Sequence, residues 1–153
     1  MDFPKKGIVF KDITPILKDA KLSKDICLEL ANSFSSEVTH VAGIESRGFL
    51  FGFPAAMNKD ISFILIRKKG KLPYKTASLK YDLEYGSAEI EMHIDAVKEG
   101  DKVVIHDDLL ATGGTAVAAA KLITQQGAEV VGFSFIVELF IDGAQLTIIV
   151  TKG

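Results

Sequence analysis

An open, mostly parallel β-sheet flanked by helices, with one antiparallel hairpin projecting from it, is the α/β fold class that this 153-residue chain predicts. Three observations lead there. The runs 40–44 (HVAGI), 62–67 (SFILIR), 102–106 (KVVIH) and 129–139 (EVVGFSFIVEL) are almost continuously apolar, as strands buried on both faces must be. Helix-period segments lie between strands, which favours parallel pairing through crossovers. Residues 76–95 instead alternate polar and apolar around Tyr85-Gly86, the pattern of a hairpin with one face open to water.

Taken in order, residues 3–17 (FPKKGIVFKDITPIL) are punctuated by Pro4, Gly7 and Pro15 and read as irregular, with an apolar knot at Ile8, Val9 and Phe10. A helix follows. Ser23 is its expected N-cap, and Ile26, Leu30 and Phe34 share one face at fourfold spacing. Cys27 stands one step from that face and reads as a small buried residue. Residues 48–57, rich in Phe and Ala, predict a second helix. Residues 115–126 (TAVAAAKLITQQ) predict a third, closed by Gly127 in the left-handed conformation. No linker divides the chain, so residues 1–153 are expected to form one domain, with 1–17 as an N-terminal extension and 76–95 as a flap.

Composition removes whole classes of function. Apolar residues make up 48% of the chain and charged residues 25%, enough to build a core. With 18 basic against 20 acidic residues the net charge is −2, which gives no basic surplus for nucleic acid. No apolar run approaches the roughly 18 residues of a membrane helix. A single cysteine allows no internal disulfide, which is compatible with a reducing cytoplasm. Neither a P-loop pattern nor G-x-G-x-x-G occurs, which disfavours a P-loop nucleotidase and leaves a dinucleotide site without support. His40, His93 and His106 have no metal-ligand spacing, and His106 is expected to be a strand histidine with its hydrogen bonds satisfied rather than a catalyst.

The chemistry concentrates in residues 103–115, VVIHDDLLATGGT. An apolar strand ends in Asp107 and Asp108, and after a short turn Ala111, Thr112, Gly113, Gly114 and Thr115 open a helix. In open α/β sheets, ligands sit outside the carboxyl ends of the strands. Glycines there let backbone N–H groups approach an anion, and the helix start adds about half a positive charge. Thr112 and Thr115 supply hydroxyl donors for phosphate oxygens. Two carboxylates beside a phosphate cradle suit ribose hydroxyls instead. One motif thus reads a ribose 5-phosphate from both ends.

That string resembles the phosphoribosyl pyrophosphate motif of type I phosphoribosyltransferases. Further stretches resemble the adenine-specific branch of that family: FPKKGIVFKDITPIL (3–17), GIESRGFLFG (43–52), IRKKGKLP (66–73), LEYG (83–86) and DDLLATGGT (107–115). The match keeps its order from about residue 2 to 140. The resemblance implies the type I phosphoribosyltransferase fold, with residues 1–17 as a hood over the base. It implies transfer of the 5-phosphoribosyl group from phosphoribosyl pyrophosphate to adenine, giving AMP and pyrophosphate. Magnesium is expected on the substrate's own phosphates rather than in a protein cage.

By the same resemblance, Glu45, Ser46 and Arg47 form the pyrophosphate loop, with a cis bond expected between Glu45 and Ser46. The basic cluster after the second strand places cations where pyrophosphate must leave. Arg67 and Lys71 are its foremost candidates, Lys68 a further one, and Lys69 is expected to be exposed. Glu84 would approach the purine and Tyr85 help close the site, making Glu84, Asp107 and Asp108 the candidate catalytic residues. Val9, Phe10, Lys11 and Leu109, with Tyr85, are the candidate adenine contacts, because purine sites need flat apolar walls. Lys11 stands where the family often carries Arg, so a bidentate contact is lost. Both chain ends are shorter than the family's usual ones. Adenine, the donor sugar and its products are the expected partners, in a cytoplasmic homodimer, with no nucleic acid or membrane. The rival readings are a phosphoribosyltransferase for another purine such as hypoxanthine, and a non-catalytic regulator that senses the donor.

Overall fold

The chain runs through β1 (Ile8–Phe10), α1 (Ala20–Ser33), β2 (His40–Ile44), α2 (Arg47–Lys59), β3 (Ser62–Lys68), β4 (Thr76–Asp82), β5 (Ser87–His93), β6 (Lys102–Asp107), α3 (Gly114–Gln125), β7 (Glu129–Phe140) and β8 (Ala144–Thr151). These elements come from a computed structural model that describes residues 8–10, 17–82, 85–107, 114–140 and 144–151. The sheet order is β1-β7-β6-β2-β3-β5-β4, with β8 also on β7. Its centre, β7-β6-β2-β3, is parallel. The hairpin β4–β5 joins antiparallel at the far end of β3, through Arg67 and Lys68 alone. The expected α/β class, parallel centre and antiparallel flap are all present.

The alternation within the central strands explains the two helical layers. Val41 and Val104 face α1 and α2, packing with Ile26, Cys27, Leu30, Phe34, Phe51, Ala55 and Ala56. Ala42, Ile44, Val103 and Ile105 face the other way, onto Ala116, Ala119, Leu122 and Ile123 of α3. Each Leu or Ile fully removed from water in these layers contributes about 1.5–3 kcal/mol. A strand covered on both faces has no polar side to show, which is why β2 and β6 read as continuous apolar runs. Cys27 is buried as expected.

Two local expectations change. Asp19, not Ser23, caps α1: its carboxylate accepts from the Leu22 N–H at 3.0 Å, and Ser23 lies inside the first turn. Asp is among the strongest N-caps, and the polar residues between 18 and 21 hid that first turn from an apolar-periodicity search. The knot at Ile8, Val9 and Phe10 is a short strand, paired antiparallel with Phe140, Leu139 and Glu138 of β7. Such pairing depends on a partner 130 residues away, which local pattern cannot reveal. Residues Ala144–Thr151 supply a further strand, β8, which pairs antiparallel with β7. Gly127 closes the α3 turn at φ 96° and Gly86 turns the flap at φ 91°, as their positions predicted.

Candidate functional site at the carboxyl edge of the sheet

Parallel register brings three strand ends together. Ile44 pairs with Ile66 and Gly43 with His106, so β3, β2 and β6 finish side by side. Just past these ends stand Arg67 and Lys68, then Glu45 and Ser46, then Asp107. Beyond β6, α3 begins at Gly114.

The β2 exit is bound tightly to its neighbours. The Glu45 N–H donates to the Ile66 carbonyl at 2.9 Å, and the Glu45–Ser46 peptide is cis, as expected. One carboxylate oxygen of Glu45 accepts from Arg67 Nε at 3.2 Å and from the Lys68 N–H at 2.7 Å. Glu45 therefore holds the cationic end of β3 in place. A carboxylate so engaged is poorly suited to touch an anion itself. Lys68, Lys69 and Lys71 are exposed.

The start of α2 packs directly on the end of β6. A Cβ placed on Gly48 would lie 2.8 Å from the His106 carbonyl oxygen and 3.5 Å from a carboxylate oxygen of Asp107. Only a residue without a side chain permits this approach, which draws the Glu45–Arg47 loop and Asp107 to one place. Gly52, one turn on, is similarly close to His106 Cδ2 and Phe63.

His106 lies beneath this contact, fully buried, with Nδ1 2.8 Å from Ser134 Oγ. Its Nε2 has no hydrogen-bond partner among the described residues. Burial lowers its pKa to about 4, the Ser134 backbone offsetting only part of that. In the unfolded chain the ring titrates near 6.5, so between these values only the unfolded state takes up the proton. The contribution of this neutral ring to stability is complete above about pH 6.5 and falls as pH drops toward 4, by about 3 kcal/mol. Thermal midpoints recorded from pH 7 to 4.5 should therefore fall, and His106→Leu should flatten that slope. An unaltered slope in the variant would assign the acid sensitivity elsewhere.

The flap is tied to both sides of this edge. Tyr81 on β4 hydrogen-bonds through its hydroxyl to Thr115 Oγ1 at 3.0 Å, in the first turn of α3. Glu91 on β5 is buried and accepts from the N–H groups of Lys71 at 3.0 Å and Leu72 at 2.7 Å, and from the Thr76 hydroxyl at 3.4 Å. Neither residue stood among the sequence candidates. Tyr81 was visible only as part of the flap pattern. Glu91 shares its alternation parity with Glu89 and carries no local sign of being buried. Tyr85 stands exposed beside Gly86 at the tip.

Of the remaining candidates, Lys11, Glu84, Asp108, Leu109, Ala111, Thr112 and Gly113 lie outside the described residues. Val9 and Phe10 belong to β1. Arg47 opens α2 and Gly114 opens α3. Among the described residues no cluster of His, Cys, Asp and Glu could hold a metal ion.

Comparison with known proteins identifies the family. The model of the phosphoribosyl transferase domain family matches residues 11–145. An adenine phosphoribosyltransferase of Anaeromyxobacter dehalogenans is 51% identical over 146 residues, covering 94% of this chain and 85% of its own. The crystal structure of adenine phosphoribosyltransferase from Thermoanaerobacter pseudethanolicus superimposes with TM-score 0.79 at 52% identity, over 88% of this chain and 78% of that one. That of the Saccharomyces cerevisiae enzyme, complexed with an imino-altritol 1,6-bisphosphate and adenine, gives TM-score 0.74 at 36% identity, over 87% and 78% of the two chains. With a family model spanning most of its length and half its residues shared with such relatives, this chain belongs to the phosphoribosyltransferase family, in its adenine phosphoribosyltransferase group.

Proposed function

We propose that the protein transfers the 5-phosphoribosyl group from phosphoribosyl pyrophosphate to adenine, releasing AMP and pyrophosphate, with the carboxyl edge of β3, β2 and β6 as the reaction centre. The observation that carries this is the meeting of an Arg67–Glu45 pair, the Glu45–Ser46 turn and Asp107 at one sheet edge, in a chain of this family. Such an edge combines cations for a leaving pyrophosphate with acids for ribose hydroxyls.

The chemistry divides accordingly. Adenine N9 forms a bond to C1 of the donor while the bond from C1 to the pyrophosphate oxygen breaks. Positive charge grows on the ribose and negative charge on the departing oxygens. Arg67, Lys68, Lys71 and the turn at Ser46 and Arg47 answer the second, in preorganised positions that need little rearrangement. Asp107 and Asp108 hold the ribose hydroxyls, and the 111–115 sequence motif holds the 5-phosphate, so the donor is kept in line for attack. Glu84 exchanges a proton with the purine, and the hood and Tyr85 cover the base and exclude water. Magnesium travels on the donor's phosphate oxygens as part of the substrate and helps neutralise them. Glu45 acts by holding Arg67 and Lys68.

An apolar face supports a homodimer: Leu50, Phe53 and Met57, at helical spacing on α2, are all large and more than a third exposed. Among the described residues no helix is long and apolar enough to cross a membrane. We assign the protein to the cytoplasm on its chemistry, since purines and donor sugar are met there.

The test is to mix purified protein with the donor sugar and magnesium, and with adenine, hypoxanthine or guanine in turn, following nucleotide by chromatography. AMP from adenine alone is the expected result. A nucleotide from hypoxanthine would reassign the base, and binding of the donor without any product would make the protein a sensor.

A further inference from the structure

Resting on the function just proposed, we infer that Glu91 is a positioning residue for the phosphoribosyl donor: it clamps the backbone of the segment that presents Lys68 and Lys71 to the pyrophosphate.

The segment after β3 has little structure of its own. The Lys69 N–H donates to the Glu89 carbonyl of β5 at 3.0 Å, and the Lys71 N–H is shared between the Lys68 carbonyl at 3.3 Å and Glu91 at 3.0 Å. The Leu72 N–H goes to the same Glu91 oxygen at 2.7 Å, a short charge-assisted bond. Thr76 reaches the other oxygen at 3.4 Å. The register sets Glu91 opposite Arg67 on one side and Ser78 on the other. It thus stands where the cationic end of β3, the basic segment and the flap meet.

Its chemistry suits this task better than a neutral side chain would. Every group that converges on Glu91 is a donor, and only a carboxylate offers acceptors alone. Its burial raises the cost of the charge, yet the N–H groups of Leu72, Gly70 and Lys71 and the nearby Lys69 outweigh burial and hold its pKa below the usual carboxylate range. The charge is spent on backbone donors, so it does not oppose an incoming anion as a free carboxylate would. Lys71 keeps its side chain exposed while its own N–H is fixed.

Glu91→Ala removes the oxygen that the Lys71 and Leu72 N–H groups share. In steady-state kinetics KM for the donor, and in the reverse direction for pyrophosphate, should rise on the order of tenfold, while KM for adenine stays within about twofold. A purely structural role would lower the thermal midpoint without that split. A folded variant with unchanged donor KM, or with equal rises for donor and adenine, would overturn the inference while leaving the proposed activity standing. A wild-type protein that turns over no base would remove the activity and this inference together. Should the variant not fold, amide hydrogen exchange on the wild-type protein decides: Lys71 and Leu72 are expected to be protected without ligand, and exchange at the rate of an open loop would overturn the clamp.

Discussion

Arg67→Ala should reduce kcat/KM for the donor by about 10²–10³-fold, the cost of removing one preorganised charge-stabilising group from a transition state. Two effects add. The guanidinium that would meet the departing pyrophosphate is gone. Glu45, whose side chain is only 16% exposed, then keeps the Lys68 N–H but loses its cation beside an anion site. The second effect gives the test its resolution. Adding Glu45→Gln to Arg67→Ala should recover part of the loss, because the uncompensated carboxylate disappears with it. Arg67→Lys should fall between, retaining charge without the planar guanidinium whose Nε meets Glu45. Steady-state kinetics across donor concentrations read all three variants. A loss under tenfold for Arg67→Ala would place the leaving-group charge on other residues.

Gly48→Ala should destabilise the protein by about 2 kcal/mol and lower kcat/KM on the order of a hundredfold. Propensity alone argues the reverse, since Ala in a helix is favoured over Gly by up to about 1 kcal/mol. The contact decides. A Cβ 2.8 Å from the His106 carbonyl oxygen overlaps rigid backbone on a central strand, so the first turn of α2 must move. That movement carries Ser46 and Arg47 away from Asp107. Denaturant unfolding and kinetics on the same preparation check both parts, and a variant as stable and as active as wild type would show that α2 shifts without consequence.

Much of this was legible from residue order. The β6 strand announces itself because both its faces are buried, leaving the apolar run Val103–Ile105 ahead of His106 and Asp107. Gly86 and Gly127 mark their turns because a positive φ excludes most other residues. Cys27 reads correctly as core because it neighbours an apolar helix face. The acidic pair, the glycine turn and the basic cluster could be named as candidates because each is contiguous in the chain.

What residue order left open are relations between distant segments. The face of β6 that carries His106 meets Ser134 and Gly52, and neither pairing leaves a local trace. Glu89 and Glu91 look alike, and only the return of residues 70–72 beneath the flap makes one of them a buried acceptor. Ser23 was the expected cap, and Asp19 took that place because the first turn begins four residues earlier. Local patterns therefore determined which segments are strand, helix and turn, because those depend on side-chain periodicity and backbone freedom within a few residues. The union of Glu45, Arg67, Gly48 and Asp107 at one edge was decided by strand register and helix packing, because hydrogen bonds and close contacts act between atoms that folding alone brings within a few ångströms.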